Sequence, residues 1–262
     1  MLFGAIRSVF ASRVSANHES PILLGVGFLL LVIAGIAAVG VFGWYRYVRA
    51  RKRREALFAF AAAHGLEYSR DDPFGLTDYP FRLFSLGDGR GCKNVLSGRW
   101  EGLPVTEADY WYYEESTDSK GGTSRSYHRF SVVIAELELD APSVSIGPES
   151  LLTRLADHLG FHDIEFESDE FNRRFRVKAT DREFAFRLVD ARLMQWMLEA
   201  EQGEAYELIG NRLLVSCDPL QPAGLSWLFD RAMAFRQHVP RLVWTEYGTG
   251  PRAGEQEERS AP

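Results

Sequence analysis

The longest apolar stretch of the chain covers residues 22–45 and contains no charged side chain. A helix rises about 1.5 Å per residue, so a stretch of this length can cross a hydrocarbon core of about 30 Å. Ser20 and Pro21 suit the N-cap and the first helical position. The stretch ends in residues typical of a membrane interface, namely Trp44, Tyr45 and Tyr47. The pattern predicts a transmembrane helix over residues 21–48.

The charges that flank this stretch predict its orientation. Its C-terminal side carries six cationic residues, Arg46, Arg49, Arg51, Lys52, Arg53 and Arg54. Its N-terminal side carries Arg7 and Arg13. The positive-inside rule therefore predicts that residues 1–20 are extracytoplasmic and that the C-terminal domain is cytoplasmic, in a single-pass protein of the inner (plasma) membrane. A cleaved signal peptide is the competing interpretation, but the apolar run is too long and ends in a stop-transfer pattern.

The basic cluster has a second interpretation. A Lys or Arg near an anionic lipid surface contributes about 1 kcal/mol of binding free energy. The cluster Arg46, Arg49, Arg51, Lys52, Arg53 and Arg54 is therefore a candidate lipid-headgroup contact, with the lipid bilayer as a partner. The alternative is that these residues set the topology and do nothing more.

Two segments next to the span have simple patterns. Residues 1–20 place apolar side chains at helical spacing, which fits either an interfacial amphipathic helix or a disordered terminus. Residues 49–65 continue the helix as a basic juxtamembrane segment, which Gly65 ends. Residues 66–247 then form one α+β cytoplasmic domain, and residues 248–262 form a disordered tail rich in Gly, Pro, Glu and Arg.

Alternation of apolar and polar positions predicts an antiparallel β meander at the start of this domain. After a loop at residues 66–80, the predicted strands are 81–86, 92–100, 103–113 and 130–137. Glycines at residues 87–91 predict the first turn, Glu101–Gly102 the second, and a polar tract at residues 114–126 a long mobile hairpin loop. The glycine turn is no phosphate loop, because no helix follows it.

Four consecutive aromatic residues lie in the third predicted strand, Tyr110, Trp111, Tyr112 and Tyr113. Aromatic residues are enriched at protein interfaces, so this cluster is the candidate surface for a protein partner. Aromatic residues also fill β cores, and core packing is the alternative.

A helix from Pro148 to Gly160 leads into a stretch with two histidines and several carboxylates, residues 157–170. His158 and His162 are four residues apart, which suits a metal on one helix. Gly160 lies between them and ends that helix, so no metal and no cofactor is predicted. This stretch is the basis of the alternative that the chain is a membrane-associated enzyme.

The C-terminal half alternates short strands and helices. Strands are predicted at residues 164–167 and 174–178, separated by one turn of helix. A capping box at Thr180 and Glu183 opens a long helix over residues 181–200, with Phe186 and Trp196 on its buried face. Gly210–Asn211 predicts a hairpin, and residues 222–238 form a last amphipathic helix.

Residues 164–215 carry a further pattern, PheGlu-x-x-GluPhe-x-x-x-Phe-x-Val, then a Thr-Asp step and a helix ending in Met-x-x-Met-Leu. The pattern resembles an uncharacterised bacterial family of membrane-attached proteins, known as a domain of unknown function. The resemblance implies membrane attachment, and it implies no activity and no catalytic residues.

The net charge and the lack of catalytic motifs restrict the classes of function that fit this sequence. The formal net charge is −6, and the six cations at residues 46–54 carry +6, so the remainder carries −12. This balance argues against nucleic acid as a partner. Two cysteines without metal spacing fit a reducing cytoplasm. With no catalytic motif, the sequence favours a membrane-tethered interaction or scaffold module with an unknown protein partner; the alternatives are a membrane-associated enzyme and a lipid-headgroup-binding domain.

Overall fold

The computed structural model describes residues 21–119, 121–149, 161–199 and 203–249, with side chains from residue 28 onward. The chain divides into two compact units, Met1–Lys52 and Arg53–Pro262. The predicted segment 1–20, the predicted helix before Gly160 with its His158, and residues 250–262 of the predicted tail lie outside the described residues. The architecture is α+β, as the sequence predicts.

Helix α1 spans Pro21–His64 and ends just before Gly65, as predicted. Within it, Phe28–His64 is long and apolar enough to cross a membrane, with a mean hydropathy of 2.3 in its most apolar window. The side chains of residues 28–47 are exposed in the described structure, as lipid-facing side chains would be. The remainder of α1 from Arg53 belongs to the second unit, where Leu57 and Ala61 are buried.

The meander is longer and more regular than predicted. Its strands are β1 (Glu67–Asp71), β2 (Gly89–Trp100), β3 (Leu103–Thr117) and β4 (Thr123–Gly147). Glu101 and Gly102 make the turn between β2 and β3, as predicted, with positive φ angles of 48° and 86° that favour glycine at the second position.

Three predictions in this region are wrong. The expected loop at residues 66–80 contains strand β1. The expected strand at residues 81–86 contains instead a 3₁₀ turn, Leu83–Ser85, whose aromatic neighbours pack onto the sheet. The expected mobile loop at residues 114–126 belongs mostly to β3 and β4, which pair from Val105↔Ala135 to Thr117↔Thr123. The loop was predicted because the side chains of this segment are polar. Polar composition indicates exposure to solvent, but an exposed antiparallel hairpin can still form paired strands.

The next elements are β5 (His162–Ile164), α2 (Asp169–Arg174), β6 (Arg176–Ala179), α3 (Arg182–Leu188) and α4 (Ala191–Leu198). The predicted helix 181–200 is therefore two helices. Asp181, rather than Thr180, caps α3 by accepting from the Phe184 N–H, and Asp190 caps α4 by accepting from the Leu193 N–H. The backbone leaves helical geometry at Val189, and Asp190 then caps the start of the second helix.

The expected burial along this segment is only partly correct. Val189 and Leu193 are buried, but Phe186, which was expected on the buried face, is 47% exposed. Trp196 is partly buried rather than among the most buried residues, and its ring stacks on His238 at 5.0 Å. The break at Val189 interrupts the helical periodicity, so one helical wheel cannot describe both helices.

Strand β7 (Ala205–Cys217), α5 (Leu225–His238) and α6 (Arg241–Tyr247) complete the domain. The predicted hairpin at Gly210–Asn211 is wrong, because β7 runs through this position and pairs along β4 with irregular register near Ala141. The last amphipathic helix is confirmed, whereas α6 was not predicted.

All strand pairs in the described structure are antiparallel, in the order β1-β2-β3-β4-β6-β5, with β7 also paired to β4. Each face of the sheet buries an apolar core. The larger core includes Leu57 of α1 and Phe229 of α5, and the smaller includes Phe81, Phe84 and Tyr110. The sheet is therefore covered on both faces along its middle.

Candidate functional site

The pleat of β3 divides the four predicted aromatic residues between the two faces of the sheet. Tyr110 and Tyr112 are 1% and 0% exposed and belong to the smaller core. The Tyr110 hydroxyl donates to the carbonyl of Leu83 at 2.9 Å. The expectation of a surface made from all four residues is thus corrected: Tyr110 and Tyr112 are core residues, and Trp111 and Tyr113 lie on the opposite face.

Trp111 and Tyr113 lie over two glycines of the neighbouring strand. A Cβ atom on Gly89 would stand 2.5 Å from the Tyr113 ring, and one on Gly91 would stand 3.0 Å from Cζ2 of Trp111. Glycine at both positions therefore leaves room for the rings to lie against the backbone of β2. The two rings are nearly parallel, with centroids 6.2 Å apart.

Strand β4 adds an aromatic residue and two arginines to the same face. Tyr127 lies opposite Tyr113, with ring centroids 5.5 Å apart, and Arg129 lies opposite Trp111. Arg125 lies 4.6 Å from the Tyr113 ring centroid, and Arg129 lies 5.4 Å from that of Tyr127, both suited to cation–π contact. We call this surface the hairpin face; its residues are Trp111, Tyr113, Arg125, Tyr127 and Arg129.

Sequence reasoning missed the three β4 members of the hairpin face. Residues 114–126 were expected to be a loop, so Arg125 had no predicted partner across the sheet. A prediction that extended β3 as far as Glu115 could have paired Glu115 with Arg125, because opposite charges favour cross-strand pairing. This pairing would have placed the three β4 residues beside β3. In the structure, Arg125 Nε donates to Glu115 Oε1 at 2.7 Å.

An ion pair lies next to the hairpin face on the same side of β3. Arg53 donates from Nε to Oδ2 of Asp109 at 2.9 Å and from Nη2 to Oδ1 at 2.5 Å. Its Nη1 donates to the carbonyl of Leu220 at 2.7 Å. A planar guanidinium suits this two-point contact with a carboxylate. Arg53 therefore joins the first turn of the second unit to the sheet and to the segment after β7.

Two further side chains complete what we call the anchor network, which comprises Arg53, Asp109, Asn94 and Tyr68. Asn94 Nδ2 donates to Asp109 Oδ2 at 2.7 Å, and the Tyr68 hydroxyl donates to Asn94 Oδ1 at 2.9 Å. Asn94 has a φ of 53° and lies where the β2–β3 register shifts, between Lys93 and Leu96. This bulge directs the amide of Asn94 toward Asp109.

Glu107 lies two residues before Asp109 and on the same face of β3. It is 1% exposed, and neither carboxyl oxygen has a hydrogen-bond partner among the described residues. Burial holds the pKa of Glu107 well above its ordinary value; the charge of Asp109 raises it further, and that of Arg53 lowers it.

The structure separates the predicted basic cluster into two kinds of residue. Arg46, Arg49, Arg51 and Lys52 are exposed, whereas Arg53 and Arg54 are partly buried. The membership of Arg53 in a lipid-headgroup site is corrected, because its three donor nitrogens bind Asp109 and Leu220. The exposed members remain a predicted lipid contact.

Glu207 is a second buried carboxyl, and it has hydrogen-bond partners. Glu207 accepts from the backbone N–H groups of Arg82 and Leu83 and so fixes the 3₁₀ segment against the sheet. Burial raises its pKa to about 7, while these two hydrogen bonds lower it. Burial also raises the pKa of Cys92 to about 12, and both cysteines are free thiols.

The predicted histidine and acidic stretch is described only from residue 161. His162 lies in β5 and is exposed, as are Glu165, Glu167 and Asp169. Exposed carboxylates on short elements fit solvated surface positions. Among the described residues, no group of three or more His, Cys, Asp or Glu side chains could hold a metal ion.

Comparison with solved structures finds a protein with the same fold. The crystal structure of the mycobacterial trehalose monomycolate transport factor A, TtfA, superimposes with a TM-score of 0.55. The match covers 72% of this chain and 97% of that chain, at 16% sequence identity. The two proteins share a fold. No family model and no curated protein matches the chain, so the resemblance predicted for residues 164–215 stays a prediction.

Proposed function

We propose that this protein is a single-pass membrane protein whose cytoplasmic domain is an interaction module, serving as an accessory factor to a membrane transport system. A helix long enough to span a bilayer supports membrane anchoring. The fold shared with a transport factor supports the link to transport. The partner in this proposal is a protein of the same membrane, bound from the cytoplasmic side.

The hairpin face is the observation that carries the proposal. Trp, Tyr and Arg dominate the binding energy of protein interfaces because they offer large, stiff contact areas with polar ends. Here three aromatic rings and two guanidinium groups are already packed on one another, so binding requires little further ordering. Tyr127 is 46% exposed at the centre of this arrangement.

The anchor network suits such a role. Arg53 follows the predicted end of the span by only a few residues, and its ion pair lies on the same face of β3 as Trp111. The network therefore orders the first residue of the second unit against the sheet, beside the surface offered to a partner.

A second candidate function is recognition of anionic lipid headgroups. The exposure of Arg46, Arg49, Arg51 and Lys52 favours it, because exposed guanidinium and ammonium groups can reach lipid phosphates. Flotation of the full chain in vesicles cannot test this contact, since the helix itself inserts. Changing these four residues to glutamine and measuring the enrichment of anionic lipid in co-purified lipid tests it directly.

The hairpin face gives a direct test of partner binding. We expect Trp111→Ala combined with Tyr127→Ala to lower the amount of partner recovered with the full-length tagged chain from native membranes by about tenfold or more. The control combines Phe186→Ala with Leu242→Ala, two side chains that are 47% and 51% exposed elsewhere on the domain. Recovery equal to that of the control contradicts the proposal, provided that both variants melt within a few degrees of the wild type.

The orientation of the chain has its own test. With Cys92 and Cys217 replaced by alanine, a cysteine at Ser15 should react with a membrane-impermeant maleimide in intact cells. A cysteine at Ser119, in the turn between β3 and β4, should react only after the cells are lysed. Labelling of Ser119→Cys in intact cells, with protection of Ser15→Cys, reverses the proposed topology.

A further inference from the structure

The edge of β2 next to the hairpin face is left without a neighbouring strand. Strand β1 pairs with β2 from Glu67↔Ser97 to Asp71↔Lys93, whereas β3 pairs with β2 as far as Gly89↔Tyr113. In the part of the chain that the structure describes, residues 89–92 therefore have a strand on one side only. Such an edge presents backbone N–H and C=O groups that can pair with another extended chain.

Two glycines at this edge let the aromatic rings of the hairpin face lie close to its backbone. Gly89 and Gly91 carry no side chain, and the rings of Tyr113 and Trp111 cover them on one face. Aromatic cover of edge glycines stabilises a sheet, but it shields the face of the strand and leaves the edge backbone open. A strand added beside residues 89–92 would place every second side chain against the same two rings.

The opposite face of this edge carries a positive charge. Arg90 lies between the two glycines, and its side chain is exposed although its guanidinium also donates to the carbonyls of Phe84 and Gly87. A carboxylate on the added strand, on the face away from Trp111 and Tyr113, would lie next to this guanidinium. Charge complementarity of this kind selects a partner and its register.

We infer that residues 89–92 receive an extended segment of the partner protein as an additional strand, with apolar side chains toward Trp111 and Tyr113 and an acidic side chain toward Arg90. This inference rests on the proposed function, since it names how the partner of the hairpin face is held. Backbone pairing at an edge supplies affinity, and alternate side chains supply specificity. Of the predicted glycine turn at residues 87–91, Gly89, Arg90 and Gly91 thus belong to strand β2 and to this docking edge, whereas Gly87 and Asp88 precede the strand.

Photo-crosslinking in native membranes tests the inference on the full chain. A p-benzoyl-phenylalanine replaces Tyr127 on the hairpin face, Arg90 at the edge, or Phe186 as a control. We expect Tyr127→p-benzoyl-phenylalanine and Arg90→p-benzoyl-phenylalanine to capture the same protein, and the control to capture none of it. In the purified complex, the amides among residues 89–92 that point away from β3 should exchange hydrogen about tenfold more slowly than in the free chain, because strand pairing protects backbone N–H groups.

The outcomes separate this inference from the proposed function. Capture at residue 127 without capture at residue 90, or unchanged exchange at residues 89–92, overturns the docking edge and leaves the hairpin face intact. Capture of a second copy of this chain at residue 90 also overturns it, in favour of self-association. Failure of capture at both residues 90 and 127 removes the proposed function and this inference together.

Discussion

Replacing Arg53 with alanine is expected to lower the free energy of unfolding of the domain by about 2–4 kcal/mol. The change removes a two-point contact with Asp109 and a hydrogen bond to the carbonyl of Leu220. The side chains of Arg53 and Asp109 are 23% and 14% exposed, so the pair is worth more than a surface ion pair and less than a fully buried one. Urea unfolding of the full chain in nanodiscs, followed by tryptophan fluorescence, measures the loss.

Three variants identify the origin of this loss. Lys52→Ala is the matched control, because Lys52 is the exposed neighbour of Arg53 and should change stability by less than about 0.5 kcal/mol. Arg53→Lys keeps the charge but not the planar fork, so much of the loss should remain. The double variant Arg53→Ala, Asp109→Ala should lose less than the sum of the two single variants. A loss for Arg53→Ala no larger than that for Lys52→Ala shows that the anchor network does not hold the domain together.

Removing the buried carboxyl of Glu107 is expected to raise the free energy of unfolding, whereas removing the Arg53 side chain lowers it. Its pKa is raised in the folded state, so between about pH 4.3 and that raised pKa the folded chain binds more protons than the unfolded chain. Stability therefore falls as pH rises through this window. Glu107→Leu removes both the proton uptake and the buried oxygens that lack partners, and should raise the free energy of unfolding by about 1–3 kcal/mol at pH 8 and by less at pH 5.

Glu207 provides the control for the pH dependence. Its pKa of about 7 also lies above the ordinary value, so it contributes a loss of stability of the same sign between about pH 4.5 and pH 7. Glu107→Leu should keep the contribution of Glu207 and lose that of Glu107, so stability should fall less steeply as pH rises than it does in the wild type. Unfolding in urea at pH 5, 7 and 8 measures both parts. A variant that is less stable than the wild type at pH 8 would mean that Glu107 makes a favourable contact in the folded protein.

Local patterns in the sequence determined several elements correctly. The uncharged run at residues 22–45, the glycine at residue 65 and the apolar spacing of residues 225–235 each act within a few residues. Helix propensity, capping and turn geometry depend on such short-range contacts, so α1, the Glu101–Gly102 turn and α5 could be predicted.

The errors occur where a distant segment decides the outcome. Gly210 satisfies the local rules for a hairpin, yet β7 continues through it because β4 supplies partners on both sides of that position. Phe84 fits a strand by its apolar neighbours, but it lies in a 3₁₀ segment from which its ring fills the second core. Pairing along a long strand releases more free energy than local propensity, so register overrides the local signal.

The sequence by itself therefore determined the long apolar helix, its charged flank and the α+β class, because each depends on residues adjacent in the chain. Tertiary structure alone decided the candidate site. Trp111 and Tyr127 meet through the register of β3 with β4, and the rings lie flat because β2 offers glycines beneath them. Tertiary structure also distinguishes Arg53 from the other five cations of its cluster. Only folding brings residues 53 and 109 within hydrogen-bonding distance, so the sequence alone could not identify Asp109 as its partner.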